Sequence, residues 1–207
     1  MAYVDGFKFD FFASHAHIDN QRFGPARPPW VNCLVAQLAK TIQMRLGTRE
    51  GIKAYFDGHG SVEAGRRLTS DLTCSASASA IFVAVISPAY VNEGSWALGE
   101  LRAFAKAART HQRIFPIELL PLENERDYPP AVRNLARFKF WTLNKDRVPV
   151  PISPASVLFY DSVWVLGDQM QRHLKSMRQA LGPSSPEAHS AAPLSGQLAF
   201  TRAGSTP

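Results

Sequence analysis

A chain of 207 residues, 45% hydrophobic and 11% aromatic, carries enough apolar surface for one buried core and is short for two. Its formal charge of +6 would suit a polyanionic partner, but the Lys and Arg residues are dispersed and no basic run interleaves with aromatics, which argues against direct nucleic-acid contact. Cys33 and Cys74 lack a Cys or His at ligand-like spacing, Lys8 and Asp10 interrupt the Phe-rich start, and no apolar run approaches ~20 residues. No disulfide framework, signal h-region or membrane span is therefore expected, and a reduced cytoplasmic setting is.

Phe7 to Ala13 reads as a first strand, because aromatics dominate it and Ser14 to Asn20 then turns polar. Beyond the segment Pro25-Ala26-Arg27-Pro28-Pro29, the residues Val31, Leu34, Val35, Leu38, Ile42 and Leu46 recur at helical spacing, and Gly47 suits a stop. Ile52 to Phe56 is a second short strand, followed by a loop from Asp57 to Gly65 and a helix carrying Leu68, Leu72 and Ala76. The wholly apolar run Ile81 to Ile86 predicts a buried third strand, closed at Ser87-Pro88 because proline cannot donate to a ladder.

Ser95 can cap a helix beginning at Trp96 and running to about Arg109, with Leu98, Leu101, Phe104 and Ala105 inward. Ile114 to Leu119 is a fourth strand, whose internal Pro116 predicts a place near an edge, and Phe138 to Leu143 is a fifth. A last helix spans Val157 to Leu181, its stripe formed by Val163, Leu166, Met170, Leu174, Met177 and Leu181. Residues 1–182 thus read as one domain, and 183–207, rich in Pro, Ser, Ala and Gly, as a disordered tail or a linker to a sensor or partner module.

Strands alternating with helices predict a parallel sheet covered on both faces, with ligands gathering outside the strands' carboxyl ends. Those ends hold Ser14-His15-Ala16-His17, Asp57-Gly58-His59-Gly60, Ser87 and the pair Trp96 and Glu100, which sit one helical turn apart. An indole beside a carboxylate is suited to hold a flat, positively charged ring.

Several strings, in this order, resemble the Toll/interleukin-1 receptor (TIR) domain of the bacterial kind, over roughly Phe7 to Leu181. Phe9-Asp10-Phe11-Phe12-Ala13-Ser14-His15-Ala16 is similar to the family's first box, and Asp57 through Glu63-Ala64-Gly65-Arg66 to its BB loop. Ile86-Ser87-Pro88-Ala89-Tyr90 resembles the third strand and its exit, Phe140-Trp141 the third box, and Ser95-Trp96-Ala97-Leu98-Gly99-Glu100 the signature of members that cleave NAD. The resemblance implies a flavodoxin-like, three-layer α/β fold with five parallel strands and an NAD glycohydrolase activity in a bacterial defence or toxin-like system. Glu100 then stands at the catalytic glutamate, and Trp96, Ser14, His15, Ala16, Asp57 and Ser87 are candidate substrate contacts. His15 stands where the family has Tyr. NAD+ is the substrate, so no separate cofactor is implied. Self-assembly is implied too, with Gly58, Gly60, Glu63, Gly65 and Arg66 of the BB loop completing a neighbour's site.

The chemistry suits one acid. The nicotinamide of NAD+ is a cationic pyridinium that leaves as a neutral base, so the proton donor of an ordinary two-carboxylate glycosidase is dispensable. A single carboxylate can bind the ribose hydroxyls and stabilise the oxocarbenium-like transition state. Two other readings compete. A non-enzymatic TIR scaffold would need assembly surfaces alone. His15-Ala16-His17-Ile18-Asp19 also resembles the His-x-His of metal-dependent hydrolases, although a (β/α)8 barrel takes about 250 residues and Asn20 stands where the lactamase-type string has His. Gly58-His59-Gly60 lacks the third glycine of a dinucleotide fingerprint, Glu63 occupying its place, and neither Ser87 nor Ser95 has a nucleophile-elbow context.

Overall fold

A strand sends successive side chains to opposite faces, so strands that are apolar throughout demand cover on both. The computed structural model describes residues 1–22, 28–56, 73–92, 94–108 and 111–182. Within them follow β1 (Phe9–His15), α1 (Trp30–Leu46), β2 (Ala54–Tyr55), β3 (Ser79–Ile86), α2 (Pro88–Val91) and α3 (Trp96–Ala108). Then come β4 (Ile114–Glu118), α4 (Pro130–Arg133), β5 (Phe138–Lys139), β6 (Trp141–Leu143), β7 (Pro149–Pro151) and α5 (Val157–Leu181). The first five-strand sheet runs in the order β2-β1-β3-β4-β5 with every neighbouring pair parallel. That order is the flavodoxin-like doubly wound one, so the expected five-stranded parallel α/β architecture is present.

All eight residues of β3 are buried. Ile81, Val83 and Val85 join Phe11 and Ala13 of β1 in a core closed by α1 and α5, where Trp30, Phe140 and Phe159 meet edge to face. Phe82, Ala84 and Ile86 join Phe12 in a second core under α3, with Tyr90, Leu101 and Phe104. Each large side chain so buried contributes about 1.5–3 kcal/mol before the entropy of ordering it. Parity has a local effect at the end of β1. Ser14 follows Phe12 by two residues and therefore faces the α3 layer, whereas His15 is directed with Phe11 and Ala13.

α1 ends as its glycine suggests: Gly47 takes φ 66°, and its N–H donates to Gln43 and Met44 carbonyls. α5 begins at a Ser156 side chain that accepts from the Phe159 N–H.

Three sequence expectations are corrected. β1 begins at Phe9 and ends at His15, which carries Ser14 and His15 into the strand. β4 lies near an edge, as Pro116 suggests: it is one strand in, between β3 and the edge strand β5. Pro116 is tolerated there because backbone groups alternate in direction. Arg113 and Leu119 bond to β3 while Glu118 bonds toward β5, so the Pro116 nitrogen faces the β5 side, and β5 begins only opposite Ile117. The expected strand Phe138 to Leu143 breaks at Phe140; β5 stays in the sheet, and β6 turns away to pair antiparallel with β7. Leu181, assigned to the inward stripe, is 59% exposed at the end of α5. The BB-loop residues, Leu68, Leu72, Arg109 and the 183–207 tail lie outside the described residues.

Candidate active site

The carboxyl ends of β1 and β3 and the first turns of α3 meet at one rim. Trp96 opens α3 with 59% of its surface exposed, and Glu100 follows one turn later, half-buried. The Ser14 hydroxyl donates to Glu100 Oε2 at 2.6 Å. Ser14 is itself buried, so this bond ties the central sheet to α3 through a charge-assisted contact. Tyr90, at the end of α2, brings its hydroxyl within 3.2 Å of Ser14 Oγ and 3.1 Å of the Ala97 carbonyl oxygen. Burial, aided by the nearby Glu100 charge and only partly offset by Ser14, raises the Tyr90 phenol above its ordinary range. It therefore remains a protonated donor.

A second buried pair fixes the strand exits. Ser87 is fully buried; its hydroxyl donates to Asp19 Oδ2 at 2.6 Å and accepts from the Tyr90 N–H, capping α2. Burial pushes the Asp19 carboxyl up to about 6, against the opposing pull of Ser87 and of the backbone bond to Ala16. Ala16 is half-buried just beyond β1, and its carbonyl accepts from the Asp19 N–H at 2.8 Å. His15 is buried, with its ring 6.5 Å from Phe56 and 6.1 Å from the exposed His17.

The sequence-derived residues Ser14, His15, Ala16, Ser87, Trp96 and Glu100 thus gather at the ends of β1 and β3, while Asp57, Gly58, Gly60, Glu63, Gly65 and Arg66 lie outside the described residues. Among the described residues no group of three His, Cys, Asp or Glu side chains is placed to hold a metal ion. Asp19, read with His15 and His17 as a metal-type string, is turned to Ser87 instead.

Sequence reasoning passed over three participants. Tyr90 was visible only as a strand-exit residue, because its contact with Ser14 spans 76 positions. The Asp19–Ser87 pair spans 68. Glu118, ending β4, accepts from the Tyr128 hydroxyl, from Trp141 Nε1 at 2.8 Å and from Arg137 Nε at 3.3 Å. Burial and the bond to Glu118 push the Tyr128 phenol up to about 12. The third-box Trp141 thereby serves to anchor that carboxylate.

A doubly wound α/β domain with a carboxylate and an indole at the strands' carboxyl rim is the class that fold and site define. The TIR domain family model matches residues 29–142, and the chain belongs to that family. Among solved structures, it is similar to the TIR domains of the activated Roq1 resistosome directly recognizing the pathogen effector XopQ, with 15% identity, a TM-score of 0.41, and coverage of 84% of this chain and 99% of that one. No curated protein matches.

Proposed function

We propose that this TIR domain cleaves the nicotinamide–ribose bond of NAD+, releasing nicotinamide and ADP-ribose or its cyclic isomer. One observation carries the reading: Glu100 is held at the rim by a 2.6 Å bond from Ser14, one turn after a largely exposed Trp96. A bond from Ser14 fixes the carboxylate's direction before substrate arrives, which is what stabilisation of a developing positive charge requires. Trp96 supplies a face for the pyridinium, worth about 0.5–2 kcal/mol. The reaction needs no acid from the protein, because the departing ring accepts the bonding electrons and leaves neutral. Water, or the adenine of the same molecule, captures the ribosyl cation.

The same reading makes the domain the effector part of a bacterial defence or toxin-like system, acting in the cytoplasm and switched on by TIR–TIR self-association. Among the described residues, no helix is long and apolar enough to cross a membrane.

A second reading, a non-enzymatic scaffold for TIR assembly, draws on the same two residues. The Ser14–Glu100 bond also serves as a plain tie between sheet and helix, and an exposed indole suits a protein contact. Incubating concentrated protein with NAD+ and separating the products chromatographically decides between them. We expect nicotinamide release, cut about 100- to 1,000-fold or more in Glu100→Gln with the fold intact. Untouched NAD+, or equal rates from the variant, leaves the scaffold.

A further inference from the structure

A shallow cavity of about 800 Å³, wide open to solvent, lies on the other side of the sheet from α3, between the last turn of α1 and the middle of α5, with Phe115 of β4 lining it. Trp164, Asp168 and Arg172 follow at intervals of four on α5 and so form one ridge facing Arg45 of α1. Asp168 is shared: Oδ1 pairs with Arg45 and Oδ2 with Arg172. A guanidinium carries five N–H donors, and each of these two makes a single hydrogen bond among the described residues. Most of their donor capacity is uncommitted.

Two guanidiniums against one carboxylate leave one excess positive charge at the cavity. His173, also in the lining, adds none at neutral pH, since burial and the Arg113 charge hold its imidazole below the ordinary value. Trp164 provides a flat apolar surface, 40% exposed, with the Arg45 guanidinium 5.5 Å from its ring centre. An aromatic plane beside paired, donor-rich cations matches a ring that carries an anion. Phosphate fits better than carboxylate, because its terminal oxygens can serve two guanidinium forks at once.

We propose that the α1–α5 cavity binds a nucleoside monophosphate, with Arg45 and Arg172 holding the phosphate and the Trp164 indole stacking on the base. The site shares no residue with the Glu100 rim and stands or falls independently of NAD+ cleavage. Asp168 keeps both guanidiniums at one place and moderates their charge.

Titration calorimetry of the full chain with AMP as the probe tests this. Binding should be seen with AMP and weaken with added salt. Adenosine and inorganic phosphate, each lacking one half of the ligand, should bind at least about tenfold more weakly, and Arg45→Gln and Arg172→Gln should each weaken AMP by about tenfold or more. Arg172 is largely exposed, so its variant should fold as judged by far-UV circular dichroism. Glu100→Gln should bind AMP like the wild type. The proposal is overturned by no heat at millimolar AMP, by phosphate binding as tightly as AMP, or by AMP binding that survives the Arg substitutions unweakened.

Discussion

Ser14 has one proton and several oxygens within reach: Glu100 Oε2 at 2.6 Å, the Ala97 carbonyl at 3.3 Å and the Tyr90 hydroxyl at 3.2 Å. The short bond to a charge wins, which leaves Tyr90 to donate to Ser14 or Ala97. Removing that proton in Ser14→Ala should lower NAD cleavage by about 10- to 100-fold, the worth of one hydrogen bond to a charged group. The comparison of interest is the rate at saturating NAD+, with melting temperature as the control. Asp19 makes a different prediction. Its folded carboxyl sits near 6 against 3.8 unfolded, so the folded state holds the proton more tightly. Its contribution is then complete below about pH 4 and lost as pH rises to about 6, amounting to at most about 3 kcal/mol. Denaturant titrations from pH 4 to 7 should show that decline, and Asp19→Asn should remove it. Glu100 and Trp96 were legible in the sequence because one helical turn relates them. Tyr90 and Asp19 were not, because only the folded sheet brings them to Ser14 and Ser87.

The elements themselves were easier to read than their edges. The apolar run of β3 and the stripes of α1 and α5 follow from burial with a fixed period, and a glycine or serine marked their ends. Pro116 marked a strand near the sheet's edge, its nitrogen facing the side where β5 begins only opposite Ile117, whereas β7 escaped notice because Pro149-Val150-Pro151 has a strand's geometry without a strand's composition. Where α1 crosses α5, Gly167 permits a close approach: a Cβ there would lie 2.7 Å from Thr41 Cγ2 and 3.3 Å from Thr41 Cβ. Gly167→Ala should therefore destabilise the fold by about 1–3 kcal/mol despite alanine's better helix propensity. Pairing it with Thr41→Ser, which deletes the nearest methyl, should recover part of that loss in a double-mutant cycle of urea denaturation. Purely additive effects would mean the crowding lies elsewhere.

At the level of the whole molecule, self-association and catalysis are coupled in the proposed function. Specific NAD cleavage should then rise with protein concentration, because assembly completes each site, whereas a self-sufficient monomer would give a rate per molecule unaffected by dilution. Initial rates across a dilution series distinguish the two.

The bond between Ser14 and Glu100 joins two layers whose contact is mostly apolar packing, and packing yields gradually while a hydrogen bond ends within a fraction of an ångström. A slight outward swing of α3 would disarm the carboxylate long before either core is wetted. Under the proposed function, NAD+ cleavage would thus fail early under mild heat or denaturant while the secondary structure still looks whole.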